Sequence, residues 1–193
     1  MMKNVTTLLL LLTLGCLPML SAQDFPDLDK SPMDMAYYPN RAAFRSFAKT
    51  DAEREAGEPV MRVIYSRPQK KDRVVFGELV KYGEMWRIGA NEATEITFFK
   101  DVKIGDQPVK AGRYTMYAMV SEREWTVYFS LDLDGWGHYA FKPEDSSVAE
   151  ITVPVSATRT TIENLGIAFE EAEEGAHLLI GWENTTVRVP IQF

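Results

Sequence analysis

From Pro59 to the C-terminus, short segments of the chain alternate between apolar and polar residues. A period of two with one apolar side is typical of antiparallel strands that are buried on one face. Two segments show it most clearly, and their apolar faces are Tyr114, Met116, Ala118 and Val120 in the first and Trp125, Val127, Phe129 and Leu131 in the second. We predict that both segments are half-buried strands.

The rest of this region has the same character. Short apolar or β-branched runs, separated by glycine, proline and other turn residues, predict about ten strands. The eleven candidate segments are residues 33–38, 60–65, 76–80, 84–88, 92–99, 112–120, 125–131, 151–155, 162–170, 176–182 and 185–191. Glu183-Asn184 is short enough to form a tight hairpin turn between the last two.

Residues 41–55 break the alternation and predict a short helix. Asn40 can cap its start, and Gly57 follows its end. The predicted apolar face consists of Ala43, Phe44, Phe47 and Ala48. Such a helix would cover an open edge of the sheet.

Many short strands, frequent turns and little helix are typical of a β-sandwich or a barrel. We therefore predict an all-β protein: an antiparallel, jelly-roll-like β-sandwich with one short N-terminal helix. No internal repeat or low-complexity linker divides the chain. Residues 31–193 are predicted to form a single domain, after a polar lead-in at residues 23–30.

The N-terminus is typical of a secretory signal peptide. Lys3 precedes the apolar run 5–14, and Ala22 is a small residue at the expected cleavage site. We predict a signal peptide at residues 1–22 and export to the periplasm or beyond. Leu14-Gly15-Cys16 resembles a weak lipoprotein box, but the residues that follow stay apolar, which favours ordinary cleavage. The apolar run is too short to span a bilayer, and no later stretch predicts a transmembrane segment.

Charge and composition exclude several classes of function. A formal net charge of −7 argues against a nucleic-acid partner, because phosphate binding needs clustered Lys and Arg. Cys16 is the only cysteine, so the mature chain is expected to lack disulfides and zinc–cysteine sites. His138 and His177 are far apart and no HExxH motif is present, so neither a metal nor a cofactor is expected. Asp132-Leu133-Asp134-Gly135 lacks the other oxygen ligands of an EF-hand loop.

Residues 76–97 carry a dense group of polar side chains beside glycines. Its core offers an aromatic ring, a guanidinium, an amide and a carboxylate, which sugar sites combine for stacking and for hydrogen bonds to hydroxyl groups. The candidate ligand-binding residues are Trp86, Arg87, Asn91 and Glu92, with Tyr82, Trp136 and His138 as a rim.

Several short motifs have the pattern of a known family. They are Tyr65-Ser66-Arg67-Pro68, Phe76-Gly77, Leu79-Val80, Tyr82-Gly83, Trp86-Arg87, Gly89-Ala90-Asn91-Glu92-Ala93-Thr94, Ala111-Gly112-Arg113-Tyr114, Glu124-Trp125-Thr126 and Trp136-Gly137. The chain resembles the exported bacterial proteins catalogued as domain of unknown function 2911, from about Ser31 to the C-terminus. Asp72 in place of a glycine and Lys81 in place of a proline depart from the pattern at loop positions. The resemblance implies export and a β-rich fold, and it implies no reaction.

Three functions fit these residues. The first is an exported module that binds a carbohydrate or another small polar ligand. The second is a structural or interaction domain of the cell envelope, without a small-molecule site, in which Arg87 and Glu92 form a buried pair. The third is a hydrolase that uses Glu92 and a second carboxylate about 5–10 Å away. No spacing singles out that second carboxylate, so the sequence favours a binding protein over an enzyme.

Arg67, Lys70, Lys71 and Arg73 form the one basic cluster of the sequence. Such a cluster is usually a solvated loop, and this is the interpretation that the sequence favours. The functional alternative is attraction of an anionic ligand such as an acidic glycan. Ligand identity and oligomeric state do not follow from the sequence.

Overall fold

The computed structural model describes residues 24–193. The predicted signal peptide, residues 1–22 with Cys16, lies outside the described residues. The strands in the described part are β1 (Met33–Tyr38), β2 (Met61–Ser66), β3 (Met85–Trp86), β4 (Thr94–Phe98), β5 (Val102–Ile104), β6 (Gln107–Val109), β7 (Gly112–Val120), β8 (Glu124–Ser130), β9 (Ser147–Ala172) and β10 (Gly175–Gln192). A 3₁₀ helix (Ala42–Phe47) and the α-helices α1 (Asp51–Ala56) and α2 (Pro143–Ser146) complete the elements. Over residues 24–193, no helix combines the length and apolar character needed to cross a membrane.

The strands pair antiparallel in the order β1-β2-β4-β7-β8-β9-β10-β5-β6, and β3 pairs with β7. The predicted all-β, antiparallel class is confirmed. β1 and β7 begin and end at the residues that their alternation predicts.

Strand β9 connects two parts of this sheet. The first part contains β1, β2, β3, β4, β7 and β8, and the second contains β10, β5 and β6. Its residues 147–154 pair with β8, and its residues 155–172 pair with β10. The two parts also contact each other directly: the Tyr65 hydroxyl of β2 donates to the Ile167 carbonyl oxygen of β9 at 3.3 Å and accepts from the Ile167 N–H at 3.0 Å. Buried apolar side chains from both parts form one continuous core.

The middle of strand β7 is buried on both faces. The four apolar residues predicted on one face lie in the main core. On the other face, Tyr117 stacks on Phe141 with 4.0 Å between ring centroids. The segment 131–146 therefore covers a face that the alternation alone would leave partly open. Leu131, predicted to be buried, is 58% exposed because β8 ends one residue earlier.

The N-terminal helical segment differs from the prediction in its cap and its apolar face. α1 begins with a capping box, in which the Thr50 hydroxyl accepts from the Glu53 N–H at 3.1 Å. Asn40 is not the cap, since the preceding 3₁₀ helix starts from Arg41. Gly57 ends α1 as predicted. The predicted burial of Phe44 and Phe47 is wrong: their three-residue spacing puts both on one side of the 3₁₀ helix, and that side faces solvent.

The last two predicted strands are a single strand, β10. The predicted turn at Glu183-Asn184 is wrong, because these residues lie inside the strand, where the register with β9 shifts on both sides of Glu183. The hairpin turn instead joins Ala172 to Gly175. Residues 76–80 are also not a strand but a compact turn, closed by the Gly77 N–H, which donates to the Val80 carbonyl oxygen at 2.8 Å.

Candidate ligand-binding site

The polar turn at residues 87–94 is held by hydrogen bonds within itself. Thr94 is fully buried, and its hydroxyl donates to the Ile88 carbonyl oxygen at 2.8 Å. Its N–H donates to the Arg87 carbonyl oxygen at 3.1 Å. The Trp86 indole N–H donates to the Gly89 carbonyl oxygen at 3.3 Å. These three hydrogen bonds pair the Thr94 hydroxyl and N–H and the Trp86 indole where the chain leaves β3 and enters β4.

Two non-glycine residues of this turn have left-handed backbone conformations. Asn91, with φ 60°, belongs to a residue type that tolerates this region. Ile88, with φ 56°, is β-branched, and such a conformation costs it about 1–2 kcal/mol. Ile88 is fully buried, so core packing holds it there. Strain of this kind concentrates at binding and catalytic sites.

A second loop is attached to the turn through its backbone. The Gly137 N–H donates to the Asn91 carbonyl oxygen at 2.9 Å, and the Ala93 N–H donates to the Gly135 carbonyl oxygen at 3.0 Å. Gly137 has φ 76°, which glycine adopts without a steric penalty. This attachment places His138 close to Arg87, although the two residues are far apart in sequence.

Arg87 and His138 lie at a cavity of about 560 Å³. Its walls come from residues 30–31, from the loop 68–73, from the segment 79–90 and from Trp182 of β10. Trp86 and Trp182 form an apolar floor, stacked with 6.1 Å between ring centroids and 17° between ring planes.

Two nitrogen atoms at the cavity lack hydrogen-bond partners. Nε of Arg87 and Nδ1 of His138 are buried, and neither bonds to any residue of the described range 24–193. Within the same range, Arg87 forms no ion pair. Since buried polar groups are normally paired, the missing partners single out these two side chains of the cavity lining as candidates for contact with a ligand.

The local electrostatics keep His138 neutral at neutral pH. Burial lowers the pKa of His138 below its ordinary value of 6.5, the positive charge of Arg87 lowers it further, and Glu84 opposes both effects in part. Burial also lowers the pKa of Arg87, and Tyr139 opposes that effect. Arginine nevertheless stays protonated, whereas neutral imidazole offers one donor and one acceptor.

The structure brings together three of the seven predicted site residues. Trp86, Arg87 and His138 line the cavity, and Trp86 is only 4% exposed, so it is part of the floor rather than an open stacking surface. Outside this lining lie Asn91, Glu92, Tyr82 and Trp136. The Asn91 side-chain amide donates to the Asp29 carboxylate at 3.0 Å. Trp136 is 64% exposed.

The two alternatives that depended on Glu92 find no support in this geometry. Glu92 is exposed, and within residues 24–193 it makes no ion pair with Arg87. Among the described residues, the cavity is lined by one carboxylate, Glu84. The two facing carboxylates of a glycoside hydrolase are therefore not assembled there.

The basic cluster divides between two roles. Arg67 and Lys70 each pair with a carboxylate, at 2.9 Å and 3.8 Å. Lys71 and Arg73 line the cavity. The clustering of positive charge in the sequence was the signal that could have identified Lys71 and Arg73 as residues of a binding site. Sequence reasoning missed Lys30, Lys81 and Trp182 altogether.

Fold and site together define an all-β protein with a polar cavity beside a strained turn. Residues 48–191 match the family described as "Protein of unknown function (DUF2911)", and the chain belongs to this family. The matched region contains the turn and His138, while Lys30 and Ser31 precede it. Comparison with curated proteins and with solved structures gave no match.

Proposed function

We propose that this protein is an exported binding protein for a small polar ligand, which occupies the cavity at Arg87 and His138. The observation that carries this proposal is the pair of buried nitrogen atoms at the cavity wall that have no partner within residues 24–193. A ligand that accepts hydrogen bonds from the Arg87 guanidinium would give this partly buried cation a partner.

The form of the cavity supports the same function. A volume of about 560 Å³ falls within the range of roughly 300–1,000 Å³ that is usual for small-molecule sites. Such sites combine an apolar surface with a few well-placed polar groups. Here Leu79 and Met85 supply accessible apolar surface, and Arg87 and His138 supply polar groups.

The geometry favours a compact ligand over a glycan that stacks on tryptophan. A sugar ring stacks on an open aromatic face. Trp86 and Trp182 are only 4% and 2% exposed, so they offer no such face in the cavity. Trp136 has an exposed ring, but it lies outside the cavity lining.

Tryptophan fluorescence provides the test. Trp136 is exposed, whereas Trp86, Trp125 and Trp182 are buried together around Phe76. In a Trp136→Phe background, the emission comes from these three buried tryptophans, two of which, Trp86 and Trp182, line the cavity. Titration with a panel of hexoses, hexuronates, amino acids and sugar phosphates should give a saturable change for at least one compound.

Two arginine variants make this test specific. Arg87→Gln should weaken the response. Arg62→Gln should leave it unchanged, because Arg62 is also partly buried with an unpartnered Nε within the described residues but does not line the cavity. The proposal fails if the whole panel leaves the emission unchanged, or if both variants respond alike.

A further inference from the structure

We infer that the ligand carries an oxyanion group, a carboxylate or a phosphate, which binds to the Arg87 guanidinium in the cavity. The inference rests on the proposed function and specifies the class of ligand. It is carried by the charge of the cavity wall, by the unpaired state of Arg87 within residues 24–193, and by the position of His138.

The cavity lining is strongly cationic. Its positively charged side chains are Lys30, Lys71, Arg73, Lys81 and Arg87. The one carboxylate of the lining, Glu84, lies 3.9 Å from Nζ of Lys81, which offsets its charge. The chain as a whole has a formal net charge of −7, so positive charge is concentrated here against the overall balance. A cleft with charges of one sign attracts ligands of the opposite sign.

Arg87 supplies the specific contact. Its guanidinium is a planar fork of donors that matches a carboxylate or a phosphate with two parallel hydrogen bonds. Burial disfavours its charge, and within residues 24–193 no carboxylate pairs with it. An oxyanion would provide the missing opposite charge in a place where electrostatic attraction is screened less than at the surface.

Two further features add to this contact. One is His138, and the other is a cationic rim of the cavity formed by Lys30, Lys71 and Arg73. Neutral imidazole can donate one hydrogen bond to the same oxyanion without bringing a second charge close to Arg87. Lys30, Lys71 and Arg73 form no ion pairs among the described residues, so their charges are not cancelled before a ligand arrives. We therefore expect the rim to attract the anion and Arg87 to orient it.

Isothermal titration calorimetry with matched pairs of probes tests the inference. The pairs are glucuronate with glucose and glucose 6-phosphate with glucose, and inorganic phosphate is a third probe, all at low ionic strength and neutral pH. We expect the anionic member of at least one pair to bind at least about tenfold more tightly than glucose, since a hydrogen bond to a charged group contributes about 1.5–3 kcal/mol. The two pairs distinguish a carboxylate from a phosphate ligand, and inorganic phosphate shows whether the anion alone suffices.

Variants separate a specific contact from general attraction. Arg87→Gln should weaken binding of the anionic probe at least about tenfold. Arg87→Lys keeps the charge without the fork and should retain part of the affinity. Arg62→Gln should bind like the unaltered protein. Circular dichroism of each variant confirms that it is folded, and Arg73→Gln, at the rim, gives a second reading if Arg87→Gln is not.

Each remaining outcome overturns a definite statement. If glucose binds as tightly as its anionic partners, the oxyanion inference is wrong and the proposed function stands. If neither anionic nor neutral probes bind, the oxyanion inference is wrong, and the tryptophan titration with the whole panel decides the proposed function. If Arg62→Gln weakens binding as much as Arg87→Gln does, the anion binds to the general surface and the inference is wrong.

Discussion

Arg87 is a partly buried cation, and its removal should affect the stability of the protein differently from removal of a salt-bridged arginine. When one partner of a buried ion pair is removed, the free energy of unfolding falls by about 3–5 kcal/mol, because the other charge stays buried without a partner. Within residues 24–193 no such partner is present, and Glu92 is exposed. The stability of the ligand-free protein should therefore depend little on either side chain.

Urea unfolding of two variants checks this expectation. Glu92→Gln should change the free energy of unfolding by less than about 0.5 kcal/mol. Arg87→Met should be neutral or stabilising, because it removes the desolvation cost of an unpaired charge. A loss of several kcal/mol in either variant would mean that the two residues form the buried pair of the structural hypothesis.

His138 should make stability depend on pH. Its pKa in the folded protein lies below the ordinary 6.5, owing to burial and to Arg87, with Glu84 opposing in part. Between the lower pKa of His138 in the folded protein and its ordinary pKa in the unfolded chain, the unfolded chain binds more protons. The contribution of neutral His138 to the free energy of unfolding is therefore complete above about pH 6.5 and is lost as the pH falls below that value. His138→Gln should reduce the loss of unfolding free energy between about pH 7.5 and pH 5. An unchanged pH dependence in His138→Gln would contradict the prediction.

At the level of single residues, the sequence predicted part of the cavity lining. Trp86, Arg87 and His138 were found because polar and aromatic residues beside glycines are unusual within strand-like runs. Asn91 and Glu92 were included because they are neighbours in sequence, but the left-handed turn directs Asn91 to Asp29 and leaves Glu92 in solvent. Lys30 and Trp182 reach the cavity only through tertiary packing, for which a single sequence carries no signal.

Among the connections between strands, the turn from β9 to β10 has the strictest steric requirement. Gly175 has φ 148°, and a Cβ atom at this position would overlap the Ile191 carbonyl oxygen. Gly175→Ala should cost about 2–4 kcal/mol, since a left-handed conformation and a backbone overlap are combined. Gly83→Ala is the matched control: φ is 76°, but no atom lies within 4 Å of the added Cβ, so only about 1–2 kcal/mol is expected. Equal losses in thermal or urea unfolding would contradict the steric explanation.

The elements themselves were predicted best where alternation is uninterrupted. β1 and β7 were found to the residue, because polar or turn residues bound each alternating run. The hairpin was misplaced because Glu183-Asn184 has the composition of a turn, yet the long pairing of β9 with β10 accommodates it as an irregularity. Local composition could not reveal this, since the register is set by the partner strand.

The whole molecule separates its charges, with an acidic total of −7 and a cationic cavity. Binding of the anionic probe should therefore weaken as salt rises from about 0.01 M to about 0.15 M, where the Debye length falls from roughly 30 Å to roughly 8 Å. A Lys71→Gln/Arg73→Gln double variant should show a weaker salt dependence than the unaltered protein. Calorimetric titrations at the two ionic strengths measure the change in affinity with salt for the unaltered protein and for the double variant. An affinity that does not change with salt would contradict the role of the cationic rim.

The cavity takes its walls from residues 30–31 near one end of the described chain and from Trp182 near the other. A bound ligand would thus contact regions that are far apart in sequence, and its binding energy would add to that of folding. At a ligand concentration of 100 times Kd the gain is about 2.7 kcal/mol. A compartment that supplies the ligand would keep more of the chain folded and protected from proteases. The amount of intact protein would then rise and fall with the supply of the molecule that it binds.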